Sequence, residues 1–349
     1  MTELKKSEIF LEAKDDLALL VNKKANELFS LLQNFDTSSL AIKADLKSYF
    51  VNHHLGKRLY FSIQNSAHII YGSINKSKLP LDQISIVDYG AGLGTLYLLA
   101  GMLPLKRVIY NDYLPDWKES AEAIATALNI KIYEYITGDI DAILQFAEAS
   151  NFKFDIVASR NVIEHIYSLP FFYAEVYKHN PNAIIFSTTS ANFHNPAMWL
   201  KHYLLHKKIE KTQYLPYRKT AILKLVPSLA NDKLIELAAL TRGKGLQDFL
   251  AAIQAYENRH PIEPVQFLRT NTCLPDTGYW CEHLLSKKEY QFFIEQAGFK
   301  MEYIAGYWDT HYRFVLMNIL GKFLNSIIKI AGRNGILFSP FVNVIAYKR

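Results

Sequence analysis

Residues 84–94 read ISIVDYGAGLG, and the rest of the chain is organised around them. Ile84, Ile86 and Val87, with the small Ser85 between, suit a short buried strand that Asp88 closes. Gly90, Gly92 and Gly94 then alternate with Tyr89, Ala91 and Leu93. Glycines at this density let the backbone turn sharply and let a ligand approach without meeting a Cβ. Residues 96–102 are apolar and free of proline, which predicts a helix opening just after Gly94. Strand, glycine turn and helix start together make a cradle for a nucleotide. The dinucleotide fingerprint G-x-G-x-x-G is not met. Thr95 stands where its third glycine belongs, Gly94 comes one place early, and an acid sits two residues before the first glycine.

The segments that follow repeat the strand-then-polar pattern. Residues 106–110, KRVIY, read as a second strand ending at Asn111-Asp112, and Asp112 lies 24 positions after Asp88 (112 − 88). An acid at that distance can accept the ribose hydroxyls of a nucleoside. Residues 130–136 read as a third strand, followed by Gly138-Asp139. Residues 154–159, FDIVAS, read as a fourth, followed by Arg160-Asn161-Val162-Ile163-Glu164-His165. The run D-x-G-x-G-x-G resembles the first motif of class I S-adenosylmethionine (SAM)-dependent methyltransferases. NVIEH is similar to the "NVLEH" signature of that family's small-molecule branch. The resemblance is strong over residues 84–189 and weak over 287–349. It implies an α/β fold, a doubly wound, seven-stranded Rossmann-like sheet whose last hairpin returns antiparallel. It also implies SAM as cofactor, held by Asp88, Gly90, Ala91, Gly92, Gly94, Asp112, Tyr113, Asp139, Ile140, Arg160 and Asn161, with Asp139 at the adenine amino group.

Half of the 349 residues are hydrophobic, enough for a core with additions. Cys273 and Cys281 form no secreted disulfide framework and read as reduced thiols. Zinc on Cys273, Cys281 and His283 lacks a supporting C-x-x-C pair, so no metal is expected there. The charged N-terminus has no apolar signal core, and no run of 18 uncharged apolar residues predicts a spanning helix. The expectation is a cytoplasmic protein. The net charge of +6 is uneven: residues 201–224 carry seven Lys/Arg against Glu210 alone, and residues 313–349 carry six with no acid. Such clusters suit an anionic partner or a plain solvated face.

Four segments follow in order. Residues 1–80 read as helical, with Tyr60, Gln64 and His68 on one face that could reach the cofactor carboxylate or the substrate. Residues 81–189 form the SAM-binding core, ending in a fifth strand at 183–189. Residues 190–286 are a long aromatic-rich insertion, which reads as a substrate-recognition element because it leaves the carboxyl ends of the strands. Residues 287–349 complete the core with a helix, a sixth strand, a helix over 314–331 and a last strand. In the 314–331 helix Asn318, Lys322, Asn325 and Lys329 form one polar stripe and the remaining circumference is apolar. Its apolar face either lies in a membrane interface or packs against the insertion or a second subunit.

Methyl transfer from a sulfonium is an in-line displacement, so positioning dominates, and a base helps when a hydroxyl is the acceptor. His165, His194 and His283 are the candidate catalytic bases. Glu164 beside His165 could suggest a metal pair, but adjacent residues rarely share one ligand sphere, so no metal is expected. The reading is O-methylation of a small molecule, glycan or lipid-linked acceptor, with peripheral contact at an anionic inner membrane surface. Homo-oligomerisation is left open. No Asn-Pro-Pro-Tyr-type motif follows the fourth strand, which argues against base N-methylation and against nucleic acid as partner. The insertion's basic cluster of Lys207, Lys208, Lys211, Arg218 and Lys219 adds to the membrane reading. Two alternatives stand beside it: an RNA methyltransferase using the basic insertion, and a SAM-binding scaffold without catalysis.

Overall fold

The computed structural model describes residues 8–348. Thirteen α-helices and seven strands follow one another among these residues. The first three helices are α1 (Asp16–Gln33), α2 (Ala44–His54) and α3 (Leu59–Ser77). The core alternates β1 (Ser85–Asp88), α4 (Leu96–Gly101), β2 (Arg107–Asp112), α5 (Pro115–Ala127), β3 (Glu134–Thr137), α6 (Ile140–Ala149), β4 (Ile156–Arg160), α7 (Leu169–His179) and β5 (Ile184–Thr189). The insertion holds α8 (Pro196–Ile209), α9 (Leu215–Leu225), α10 (Asn231–Leu240) and α11 (Leu246–Glu257). The chain closes with α12 (Lys287–Gln296), β6 (Phe299–Ala305), α13 (Val315–Ala331) and β7 (Val342–Lys348).

The strands form one sheet in the order β3-β2-β1-β4-β5-β7-β6. β1 to β5 are parallel, and β7 returns antiparallel between β5 and β6. This is the doubly wound, seven-stranded arrangement with the antiparallel hairpin that the sequence implied. Strand β1 is buried at all four positions, as expected of a parallel strand covered on both faces. Strand β3 is shorter than its apolar run suggested. Ile130 donates its N–H to Ala125 O, so the first residues of that run finish α5.

Because β6 lies antiparallel to β7 and β7 antiparallel to β5, β6 runs with β1–β5. Its C-terminus therefore reaches the carboxyl edge of the sheet. Both additions start there, the insertion from the end of β5 and the α13 excursion from the end of β6. The edge where α/β proteins bind ligands is thus crowned by the two segments a bare core would lack.

The insertion has its own apolar cluster, which includes Ile222, Leu234, Leu237, Phe249 and Ile253. Between α8 and α9 the chain passes through a π-type turn at Glu210–Tyr214, just before Pro216, which has no N–H to offer a regular helix. Arg218 is wholly buried, against the expectation that it joins a basic surface patch. It pairs with both Glu210 oxygens and donates to Ala238 O (3.0 Å) and Thr272 Oγ1 (3.3 Å). A guanidinium placed inside needs such a full set of acceptors. Lys207, Lys208 and Lys211 do remain exposed.

Helix α13 departs from the expectation that the chain has no helix long and apolar enough to cross a membrane. Val315–Leu337 meets that description by length and composition. Its apolar face, left open between a membrane interface and packing on the insertion or a second subunit, is not buried within the described residues: Gly321 is the one buried residue among its 17. Asn318 exchanges hydrogen bonds with the backbone of Tyr312 and Asn325 with that of Trp308, so the Asn side of the polar stripe faces the protein. Leu316 (76% exposed), Ile319, Phe323 (60%) and Ile330 (86%) point away from it.

Candidate active site

At the carboxyl ends of β1, β2 and β4 lies a cavity of about 420 Å³. Its floor is the glycine turn. Gly90 (φ +64°) and Gly92 (φ +55°) occupy the left-handed region that glycine tolerates. A Cβ on Gly90 would stand 2.7 Å from the Val162 methyls, and one on Gly92 3.0 Å from the Trp117 ring. Both positions are therefore too tightly packed, and too strained in φ, to carry any side chain.

Three carboxylates enter from successive strand ends. Asp88 is buried, with Oδ2 lacking a hydrogen-bond partner among the described residues. Burial pushes its carboxyl up to about 8, helped by the nearby Asp112 and opposed by Arg160. Asp112 accepts from the N–H of Gly92 (2.9 Å) and of Leu114 (3.0 Å), and burial raises its carboxyl too. Asp139 caps α6, accepts from Ile140 N–H (2.7 Å) and is met by the Tyr89 hydroxyl. One cation opposes them. Half-buried Arg160 donates Nη1 to Ser62 Oγ (2.9 Å), and Thr95 Oγ1 lies 3.1 Å from Ser62 Oγ and 2.8 Å from Ser66 Oγ. Helix α3 thus braces both the glycine turn and the end of β4.

Most of the residues assigned to the cofactor line this cavity: Asp88, Gly90, Ala91, Gly92, Gly94, Asp112, Tyr113, Asp139, Arg160 and Asn161. Ile140 does not. Its side chain packs in the core beneath β3 and β4, and only its N–H serves the site, by fixing Asp139. Of the three histidines, His165 alone lines the cavity. Its Nδ1 lies 2.9 Å from Trp280 O, so that nitrogen donates and Nε2 is left as the acceptor. His194 instead accepts from Lys287 N–H (3.0 Å) at the start of α12. His283 is buried, stacked on Trp280 at 4.4 Å, with Nε2 against Phe267 O (2.9 Å). Both are held as structural groups. Tyr60, Gln64 and His68 are also absent from the cavity lining; Tyr60 donates to Ile9 O and stacks on His311, and His68 sits against Tyr307. Ser66 on another face of α3 lines it instead.

Several lining residues escaped the sequence reading. Tyr49, His53 and His54 close the cavity from α2, and Tyr49 packs on Trp117 at 4.8 Å. Burial holds His54 near 3, so it is neutral at ordinary pH. The cluster Y-F-V-N-H-H at the end of α2 was the available signal. Tyr279 arrives from the insertion and meets Tyr113 edge to face at 5.0 Å.

This donor set suits SAM. Three acids and one guanidinium match a ligand carrying a sulfonium, an ammonium, ribose hydroxyls and one carboxylate, and the side-chain-free turn gives the nucleoside room. Residues 87–185 match the family described as "Methyltransferase domain". No curated protein is similar to the chain. Among solved structures, SMU.776 complexed with SAH aligns at 12% identity and TM-score 0.29, over 40% of this chain and 38% of that one. A SAM-dependent methyltransferase from Mesorhizobium loti aligns at 12% and 0.39, over 80% and 97%. The magnesium protoporphyrin IX methyltransferase from Synechocystis PCC 6803 with bound SAH aligns at 11% and 0.40, over 87% and 94%. Scores this low bear on nothing further. Residues 87–185 are therefore a methyltransferase domain, and the cavity at its strand ends suits SAM as the cofactor.

Proposed function

We propose that the enzyme methylates a hydroxyl of a lipid-linked or otherwise amphiphilic acceptor presented at an anionic membrane surface. The observation that carries this is the outward apolar face of α13, standing on the same edge of the sheet as the cofactor cavity. Seventeen residues span about 26 Å at 1.5 Å each. The two asparagine pairs tie that length along the protein, which favours a helix lying in the interface over one crossing it. Lys322 and Lys329 border one edge of the apolar arc, in the same stripe as the asparagines, with Arg313 and Arg333 at the helix ends, and residues 313–349 contain no acid. Long cationic side chains at the border of an apolar face reach lipid phosphates while their stems stay in the interface. Each adds about 1 kcal/mol near an anionic leaflet.

When bound, SAM supplies a methyl group already activated as a sulfonium. The chain's own part is positioning and proton removal. Asp112 would hold the ribose hydroxyls and Arg160 the carboxylate, while Asp88, kept largely protonated by burial, would reach the polar end of the ligand. His165, its Nδ1–H pinned by Trp280 O, would take the acceptor's proton at Nε2. Tyr279 and the residues of α2 would exclude water. Withdrawal of Arg218 into the insertion removes one charge from the basic cluster there, which leaves α13 and its cations to carry the membrane reading.

The test is methyl transfer from labelled SAM in the presence of a membrane lipid extract and anionic vesicles. Label is expected in the organic phase, and His165→Gln should lower the rate 10²–10⁴-fold with SAM affinity kept. Label confined to water-soluble products would refute the acceptor class. A loss below tenfold would remove His165 as base.

A further inference from the structure

We infer that His202, His206 and Glu282 form a divalent metal site of the zinc type, which pins α8 to the segment returning through residues 271–286. The two histidines stand one turn apart on α8 and are both wholly buried. Two imidazoles four residues apart on a helix share one face. Glu282 comes from the return segment, and one ligand atom of each of the three residues lies within 4.8 Å of the others. In a tetrahedral zinc site with bonds near 2.1 Å, ligand atoms stand about 3.4 Å apart, so the cluster needs only small side-chain adjustments.

The outer partners are already in place. His202 Nε2 lies 3.1 Å from Ser190 O, a carbonyl, so this nitrogen carries a proton, and Nδ1 meets the Glu282 carboxylate in an ion pair whose proton a metal would replace. His206 Nδ1 lies 3.2 Å from Thr270 Oγ1, while Nε2 is buried with no hydrogen-bond partner among the described residues. A ligating histidine characteristically donates its other ring N–H to a carbonyl or similar oxygen, which fixes the tautomer. Here the carbonyl fixes the first ring in that way, and the second meets a hydroxyl able to accept its proton, which leaves a buried ring nitrogen without a partner among the described residues. Two cations stand near the cluster: Arg242 is turned to Glu210 and to Thr270 O, and Lys201 lies on the Glu282 side.

Two imidazoles and a carboxylate, with no thiolate, suit zinc over softer or harder ions. Three protein ligands leave a fourth position for water. The return segment also carries Tyr279 and the Trp280 carbonyl that orients His165, and His283 N–H bonds Glu164 O (2.7 Å). A metal at Glu282 would stiffen the wall of the active site without touching the reacting atoms.

Calorimetric titration of the chelator-treated full chain with zinc chloride, alongside thermal melts, tests the site. One equivalent should bind and raise the melting temperature. His206→Gln and Glu282→Gln should each weaken binding about 100-fold or more, and Thr270→Val about 10- to 100-fold through the outer partner. Absence of stoichiometric zinc binding to the wild-type chain would overturn the inference whatever the variants do. So would equal affinity in folded His206→Gln, with circular dichroism establishing its fold.

Discussion

Helices α3 and α13 are of similar length, 19 and 17 residues, and both are rich in large apolar side chains. Eleven residues of α3 are buried, among them Ile63, Ile69 and Ile70 at 0% exposure, whereas α13 buries Gly321 alone. In α3 the apolar positions meet the sheet, and the serines among them reach inward to Thr95 and Arg160. In α13 the asparagines turn to the protein and the apolar arc turns out. One helix is a wall of the cofactor cavity; the other has the material of a wall with nothing on its far side. Contiguous apolar surface of this kind marks an interaction face. The cationic flanks and the shared sheet edge point to lipid.

The largest effect belongs to the inner side. Gly92→Arg should abolish SAM binding, because Trp117 already stands 3.0 Å from where a Cβ would be. Calorimetry showing unchanged affinity in that variant would remove the glycine turn from the site. Next comes a paired truncation. Ile70→Ala in α3 should cost about 2–5 kcal/mol by opening a cavity, while Phe323→Ala in α13 should change stability by less than about 0.5 kcal/mol. Equal losses in denaturant melts would mean that α13 is covered in the free protein.

A subtler effect concerns Asp88. Its folded value near 8 lies above the ordinary carboxyl value of 3.8, so between these the folded state binds more protons than the unfolded one. That contribution is fully present below the unfolded value and is lost as pH rises through the folded one. Asp88→Asn should therefore flatten the fall in stability of the ligand-free protein between about pH 4 and 8, while weakening SAM binding. A melting profile unchanged by the substitution would contradict the burial argument.

How much of this was legible in the sequence depended on whether the signal was local. Asp88, the three glycines, Asp112, Asp139 and the run Arg160–His165 sit at strand ends, where one strand–helix–strand unit fixes their spacing, and each except Ile140 among the cofactor assignments lines the cavity. The helical stripe of α13 was equally local, although which side faced the protein was not. Contacts between distant segments could not be read. His194 and His283 carry the same side chain as His165, yet one meets the backbone at Lys287 and the other a carbonyl at Phe267. Tyr49, His54 and Tyr279 enter the cavity through packing of α2 and of the insertion's return, across 30 residues or more. Arg218 looked like part of a basic run because its partners, Ala238 and Thr272, lie far along the chain.

The smallest effect decides whether α13 is a lipid-facing surface beside a methyl-transfer site. Purified protein is floated with vesicles on a density gradient. It should rise with anionic vesicles and not with neutral ones, and Lys322→Glu/Lys329→Glu should cost roughly 1 kcal/mol per position or more. Failure to bind anionic vesicles at low salt, with α13 protected from hydrogen exchange in the free protein, would show that the face is covered in solution and is not a lipid surface.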